Sequence, residues 1–155
     1  MTPRTHRFEL FADYFQLYLE DEGERAEPDI DWDAAVACML AAGDGFVMIG
    51  TVRNMTVPLT IEILDTEPAT DPDAFDHVAE CSLAVRSGEI VVSGCTDYRP
   101  DAARIAVAPG DYRVRVSYGD LNSLSEDGLE GRDHYRAQLW PAPSAELRVL
   151  KQRAS

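Results

Sequence analysis

Alternation of apolar and polar positions with a period of two runs through most of the chain and predicts short β-strands. The clearest run spans residues 112–118. Tyr112, Val114, Val116 and Tyr118 fall on one face and Arg113, Arg115 and Ser117 on the other, the pattern of a half-buried strand. Residues 46–49, 57–64, 135–140 and 146–150 read the same way, with Pro58 suited to a strand start or an edge. Residues 77–85 and 89–95 are expected to form a hairpin across Arg86-Ser87-Gly88. Residues 104–108 and 112–118 are expected to form another across Ala108-Pro109-Gly110-Asp111, where Pro followed by Gly is a type II turn signal. Near the amino terminus Phe8 and Leu10 share one phase and Phe15, Leu17 and Leu19 the other, so a bulge or bend is expected at residues 11–13.

One segment departs from this period. Residues 34–42 are rich in Ala, Met and Leu, follow Asp31 and Asp33 as potential caps and precede Gly43, which predicts one short helix near residues 33–42. Long polar connections occupy residues 20–33, 66–76 and 119–133. A loop as long as the last is uncommon in a compact domain and is often functional. The final residues 151–155 are expected to fray. The prediction is a mainly β chain, an antiparallel β-sandwich of about eight short strands with one short helix, forming a single domain over residues 1–155.

The charge distribution changes this picture most. The chain of 155 residues carries 28 acids against 14 bases, a formal charge of −14. Such a field argues against binding nucleic acid or anionic lipid. No apolar run reaches the length of a membrane span, and no apolar stretch follows the basic first residues as in a signal peptide, so a cytoplasmic location is expected. Residues 20–33 hold eight acids, among them Glu24, Glu27 and Asp29. Residues 54–85 hold seven, and residues 120–133 hold five, namely Asp120, Glu126, Asp127, Glu130 and Asp133. Several bases (Arg104, Arg113, Arg115, Arg136, Arg148) instead lie on predicted strands, where they can pair locally. Acids concentrated on connections keep a protein dispersed. They also attract a basic partner, and a nuclease groove built to hold phosphates is a common basic cleft.

Residue chemistry for catalysis is sparse. Cys38, Cys81 and Cys95 have no CxxC spacing and read as small buried hydrophobes. His6, His77 and His134 show no metal spacing. There is no Gly-x-Ser-x-Gly, no phosphate-binding glycine loop and no catalytic constellation joining a cysteine to a histidine. Asp120-x-Asn122 with Glu126 resembles the start of a calcium-binding EF-hand loop, but Leu124, Ser125 and Gly131 stand where an oxygen ligand, a glycine and a bidentate glutamate are required. A calcium-dependent ligand-binding sandwich, its site shared between loops, remains the alternative. Phe8, Phe11, Tyr14, Phe15 and Tyr18 can line a groove, but at strand spacing aromatic residues are more often core.

Several short motifs occur in a familiar order. They are Tyr14-Phe15-Gln16-Leu17, Asp31-Trp32, Ala41-Ala42-Gly43-Asp44-Gly45, Arg53-Asn54 and Pro109-Gly110-Asp111-Tyr112. Over about residues 12–118 their order and spacing resemble the ComJ family of competence proteins, the DNA-entry nuclease inhibitors. The resemblance implies a small non-catalytic protein that binds and silences a nuclease, or the same domain reused for other protein binding. It implies no cofactor and assigns no interface residues, and residues 119–133 depart from the family pattern. The expected function is therefore occlusion of a basic protein, with Asp120, Glu126, Asp127, Glu130 and Asp133 as first contact residues and Glu24, Glu27 and Asp29 as a second set.

Overall fold

The computed structural model describes residues 4–23 and 29–154. Two sheets pack face to face. The elements in chain order are β1 (Arg4–Phe11), β2 (Gln16–Asp21), α1 (Trp32–Cys38), β3 (Leu40–Gly43), β4 (Phe46–Gly50), β5 (Thr56–Ile63), β6 (His77–Val85), β7 (Glu89–Gly94), β8 (Ala103–Ala106), β9 (Gly110–Gly119), β10 (His134–Pro141) and β11 (Arg148–Lys151). The larger sheet has six strands in the order β1-β5-β10-β9-β6-β11, and the smaller has five in the order β3-β4-β2-β7-β8. Between them lies the core, where Leu17, Leu19, Val47, Ile49, Leu59, Ile61, Leu83, Val114, Val116 and Leu139 are fully buried. Among the described residues no helix is long and apolar enough to cross a membrane.

The β-rich sandwich with one short helix agrees with the alternation pattern, and its strand partners differ from the expected ones. β6 pairs with β9 and β11, whereas β7 pairs with β2 and β8, so Arg86-Ser87-Gly88 crosses between sheets instead of closing a hairpin. Residues 107–109 likewise carry the chain from β8 in one sheet to β9 in the other. Period-two alternation reports which face of a strand is buried and says nothing of which strand lies beside it. The expected phase change at residues 11–13 is such a crossing as well, leading from β1 in the larger sheet to β2 in the smaller.

Two further details correct the sequence reading. β10 runs parallel to β5, Tyr135 opposite Leu59, so the larger sheet is mixed rather than purely antiparallel. Pro58 lies one residue before that pairing begins, opposite Glu9 of β1. The helix is shorter than expected. Asp31 caps it by accepting from the Ala34 N–H at 3.2 Å, but it stops at Cys38 and Met39 turns left-handed with φ 58°. Leu40, Ala41 and Ala42, good helix formers, become part of β3 (Leu40–Gly43) because pairing with β4 buries Leu40. Gly45, at φ 70°, closes that hairpin after Asp44. The carboxyl-terminal segment, expected to fray, is tied down through Arg153: the Lys151 Nζ donates to the carbonyls of Pro72 (2.9 Å) and Phe75 (2.7 Å) and the Arg153 N–H to His77 Nδ1 (3.1 Å).

Candidate functional site

The basic residues are used first, because they decide which acids remain free. All five strand arginines singled out in the sequence have acidic partners. Arg104 pairs with Glu22 at 2.6 Å and Arg136 with Asp71 at 2.7 Å. On the outer face of the larger sheet Glu80, itself buried, accepts from Arg113 Nε at 3.2 Å and Arg115 Nε at 2.7 Å, with Arg148 at 3.6 Å. Arg115 also donates to the Pro68 carbonyl at 3.0 Å and lies 5.0 Å from the Trp140 ring centre. The guanidinium of Arg113 reaches the carbonyls of Ala145 and Glu146. Residues expected to face solvent are thus buried beneath the connections that follow β5 and β10.

The connection between β9 and β10 is an ordered platform. Ser125 N–H donates to the Glu130 carbonyl at 2.8 Å, and Gly128 N–H to the Ser125 carbonyl at 2.9 Å. Ser125 Oγ donates to Asp127 at 2.6 Å and accepts from the Glu130 N–H at 3.0 Å. Hydrogen bonds from the Ser125 hydroxyl and then the Leu129 N–H hold the Asp127 carboxyl below its ordinary value. Leu121 N–H is fastened to Asp76 at 2.8 Å. Glu126, Asp127 and Glu130 project from this platform into solvent beside exposed Leu129, around a shallow concavity of about 630 Å³. None of the three acids has an ion-pair partner among the described residues.

The other sequence candidates are dispersed. Asp133 is not a surface residue: it is 1% exposed, accepts from Arg53 Nε at 2.8 Å and from the Tyr135 hydroxyl at 2.6 Å. It anchors the end of the platform and is unavailable for contact. Asp120 is exposed, at φ 52°, with its carboxylate 3.8 Å from His134 Nδ1. Asp29 is exposed near the start of α1, while Glu24 and Glu27 lie outside the described residues.

A second feature shares the platform's end of the sandwich. The link is the connection after β4: Val52 N–H donates to the Tyr135 hydroxyl at 3.0 Å, and Arg53 holds Asp133, while Thr51 N–H donates to the Phe15 carbonyl at 3.0 Å. Tyr14, Phe15, Trp32, Val36, Met39 and Met48 line an apolar groove of about 340 Å³ there. Tyr14 and Trp32 are more than half exposed, and Val36 nearly three-quarters. Tyr14 and Phe15 both have left-handed backbones, φ 56° and 61°, a conformation costly for aromatic side chains. The turn is held in it from several sides. Ala12 N–H donates to the Met55 carbonyl at 2.9 Å, and Thr96 Oγ1 donates to Asp13 at 3.0 Å. Backbone strain of this kind gathers at functional sites. The expectation that these aromatics are core fails for Phe11, Tyr14 and Phe15, all exposed, because the chain crosses between sheets at residues 11–15. Trp32, marked in the sequence by the Asp31-Trp32 motif and by the acid that follows it, Asp33, joins Tyr14 and Phe15 in the groove.

The thiols and the His77 imidazole are occupied structurally. Burial pushes the Cys81 thiol up to about 12, which removes it as a nucleophile. The His77 imidazole is buried and its pKa is lowered by burial. Its Nδ1 accepts from the Arg153 N–H, so Nε2 donates to the Cys38 carbonyl at 2.7 Å, leaving no free ring nitrogen for acid–base work. Cys95 accepts from the Tyr18 hydroxyl at 3.3 Å. Among the described residues no three His, Cys, Asp or Glu side chains gather in a group that could hold a metal ion.

Comparison with known proteins places this architecture. No protein-family model matches the sequence, and no curated protein matches it. The arrangement of the two sheets is a ComJ-type fold. The crystal structure of ComJ from Bacillus subtilis, inhibitor of the DNA degrading activity of NucA, aligns with a TM-score of 0.69 and 17% identity over 92% of this chain and 100% of that one. The protein of crocagin biosynthetic gene J aligns with a TM-score of 0.64 and 18% identity, again over 92% of this chain and 100% of that one. At these identities the likeness is one of fold.

Proposed function

We propose that the chain is a non-catalytic inhibitor of a basic partner, a nuclease, acting by occlusion of its phosphate-binding groove. The observation that carries this reading is the partition of charge. Arginines on the strands are held by buried or adjacent acids, while among the described residues Glu126, Asp127 and Glu130, on a hydrogen-bonded platform, have no ion-pair partner. Carboxylates held in this way can occupy positions that a nucleic-acid backbone would take, and they speed encounter with a cationic cleft. The groove formed by Tyr14, Phe15 and Trp32 supplies what the acids lack, an anchor of large aromatic side chains of the kind that dominates binding energy at interfaces. Asp31 and Asp33 beside Trp32 suit it to an arginine or lysine side chain, stacked on a ring and paired at its charged end. The likeness in fold to an inhibitor of a DNA-degrading enzyme favours a nuclease among basic partners.

The test is capture on the immobilised chain from source-cell lysate at low salt, followed by a DNA-degradation assay on the eluate. Adding the chain back is expected to suppress that degradation. The triple variant E126Q/D127N/E130Q is expected to suppress it far less, with a flatter dependence on salt. An eluate without nuclease activity, or one that the chain leaves active, would overturn the reading.

A further inference from the structure

The two sheets have four edges, and one of them differs from the others. β3, β8 and β11 are each four residues long, and β11 is interrupted by a shift in register between Val149 and Lys151. β1 has eight residues, Arg4 to Phe11, in unbroken register with β5 from Arg4 opposite Ile63 to Phe11 opposite Thr56, and among the described residues it pairs with no other strand. Proteins blunt sheet edges by keeping them short, by bulges and prolines or by exposed charges. β1 is long, unbroken and without proline, and its exposed charges are of both signs, Arg4, Arg7 and Glu9, so a strand of matching charge can pair with its outer row of backbone N–H and C=O groups.

We propose that β1 pairs antiparallel with β1 of a second copy of this chain, about a two-fold axis at Phe8. A dyad perpendicular to a sheet requires one residue to face itself, which restricts the register to a few choices. Centring on Arg7 or Glu9 sets like charges against each other. Centring on Phe8 sets Arg7 of one copy opposite Glu9 of the other, twice, on the exposed row. On the other row it sets Phe8 opposite Phe8 and His6 opposite Leu10. Phe8 and Leu10 are half-buried and already pack against the core, so the partner strand completes their cover. Neither Arg7 nor Glu9 has an ion-pair partner among the described residues. Opposite charges directly across an antiparallel pair stabilise it and like charges oppose it. The local strip is also favourable for self-association in an acidic molecule, because Arg4 and Arg7 outnumber Glu9 there. A single strand pair is smaller than a standard stable interface, so the dimer forms in a concentration-dependent way.

Sedimentation equilibrium of the full chain over a range of concentrations tests this. The mass is expected to rise from one copy toward two. R7E and E9R each place like charges opposite one another and are expected to weaken association at least tenfold. Both positions are exposed, and circular dichroism checks that each variant is folded. The double variant R7E/E9R restores opposite charges and is expected to restore the dimer. An equimolar mixture of R7E and E9R is expected to form a heterodimer that neither forms alone. A wild-type chain that stays monomeric, single variants that associate as the wild type does, or a double variant that is not rescued would overturn the proposal.

Discussion

Two groups of acids in this molecule have the same chemistry and opposite surroundings. Glu80 lies beneath the connections over the larger sheet, in reach of Arg113, Arg115 and Arg148. Glu126, Asp127 and Glu130 lie on the β9–β10 connection with no ion-pair partner among the described residues. A buried carboxylate is tolerated only where cations and donors meet it, so its contribution goes to the fold. An exposed one costs little to keep, and its field acts on whatever approaches. Within one connection the contrast repeats: Asp133 is buried against Arg53 and Tyr135, six residues from exposed Asp127.

The largest effect is expected from Glu80→Ala. It leaves two buried guanidinium groups without their shared partner and should destabilise the fold by about 3–5 kcal/mol, read as a lowered urea midpoint. A loss below about 1 kcal/mol would show that the pairs are dispensable. Asp133→Asn comes next. It weakens the bonds to Arg53 and Tyr135 and should cost about 1–3 kcal/mol on the same measurement. If unfolding is unchanged and only partner binding falls, Asp133 belongs with the exposed acids after all.

Tyr14→Asn should move stability the other way. Asn accepts the left-handed backbone more readily, so unfolding should be harder by up to ~1 kcal/mol. Partner binding should weaken because the anchor is gone. Opposite signs on stability and binding would identify strain held for recognition, whereas equal losses of both would make Tyr14 a packing residue. The smallest stability change is expected from E126Q/D127N/E130Q, within about 0.5 kcal/mol, although its effect on association is expected to be large. A marked loss of stability would mean that the platform depends on its charges.

The candidate site was legible only in part for the same reason that separates the two groups of acids. The density of acids on residues 120–133 was visible along the chain, but burial of Asp133 depends on Arg53, 80 residues away. The aromatic groove joins the bend before β2, the first turn of α1 and the end of β4, which are distant in sequence. Short-range pattern also favoured a helix through residue 42, and the pairing of β3 with β4 overruled it.

What the sequence determined by itself is the class of fold, the bend after β1, a short helix capped by Asp31 or Asp33 and the excess of acids on connections. These follow from alternation, capping chemistry and charge counts, which act over a few residues. Only the tertiary structure decided which strands lie side by side, that β5 and β10 run parallel, and which acids are left without cations. Those outcomes depend on contacts between residues far apart in the chain, where a connection of given length and turn chemistry can lead either to the neighbouring strand or across to the other sheet.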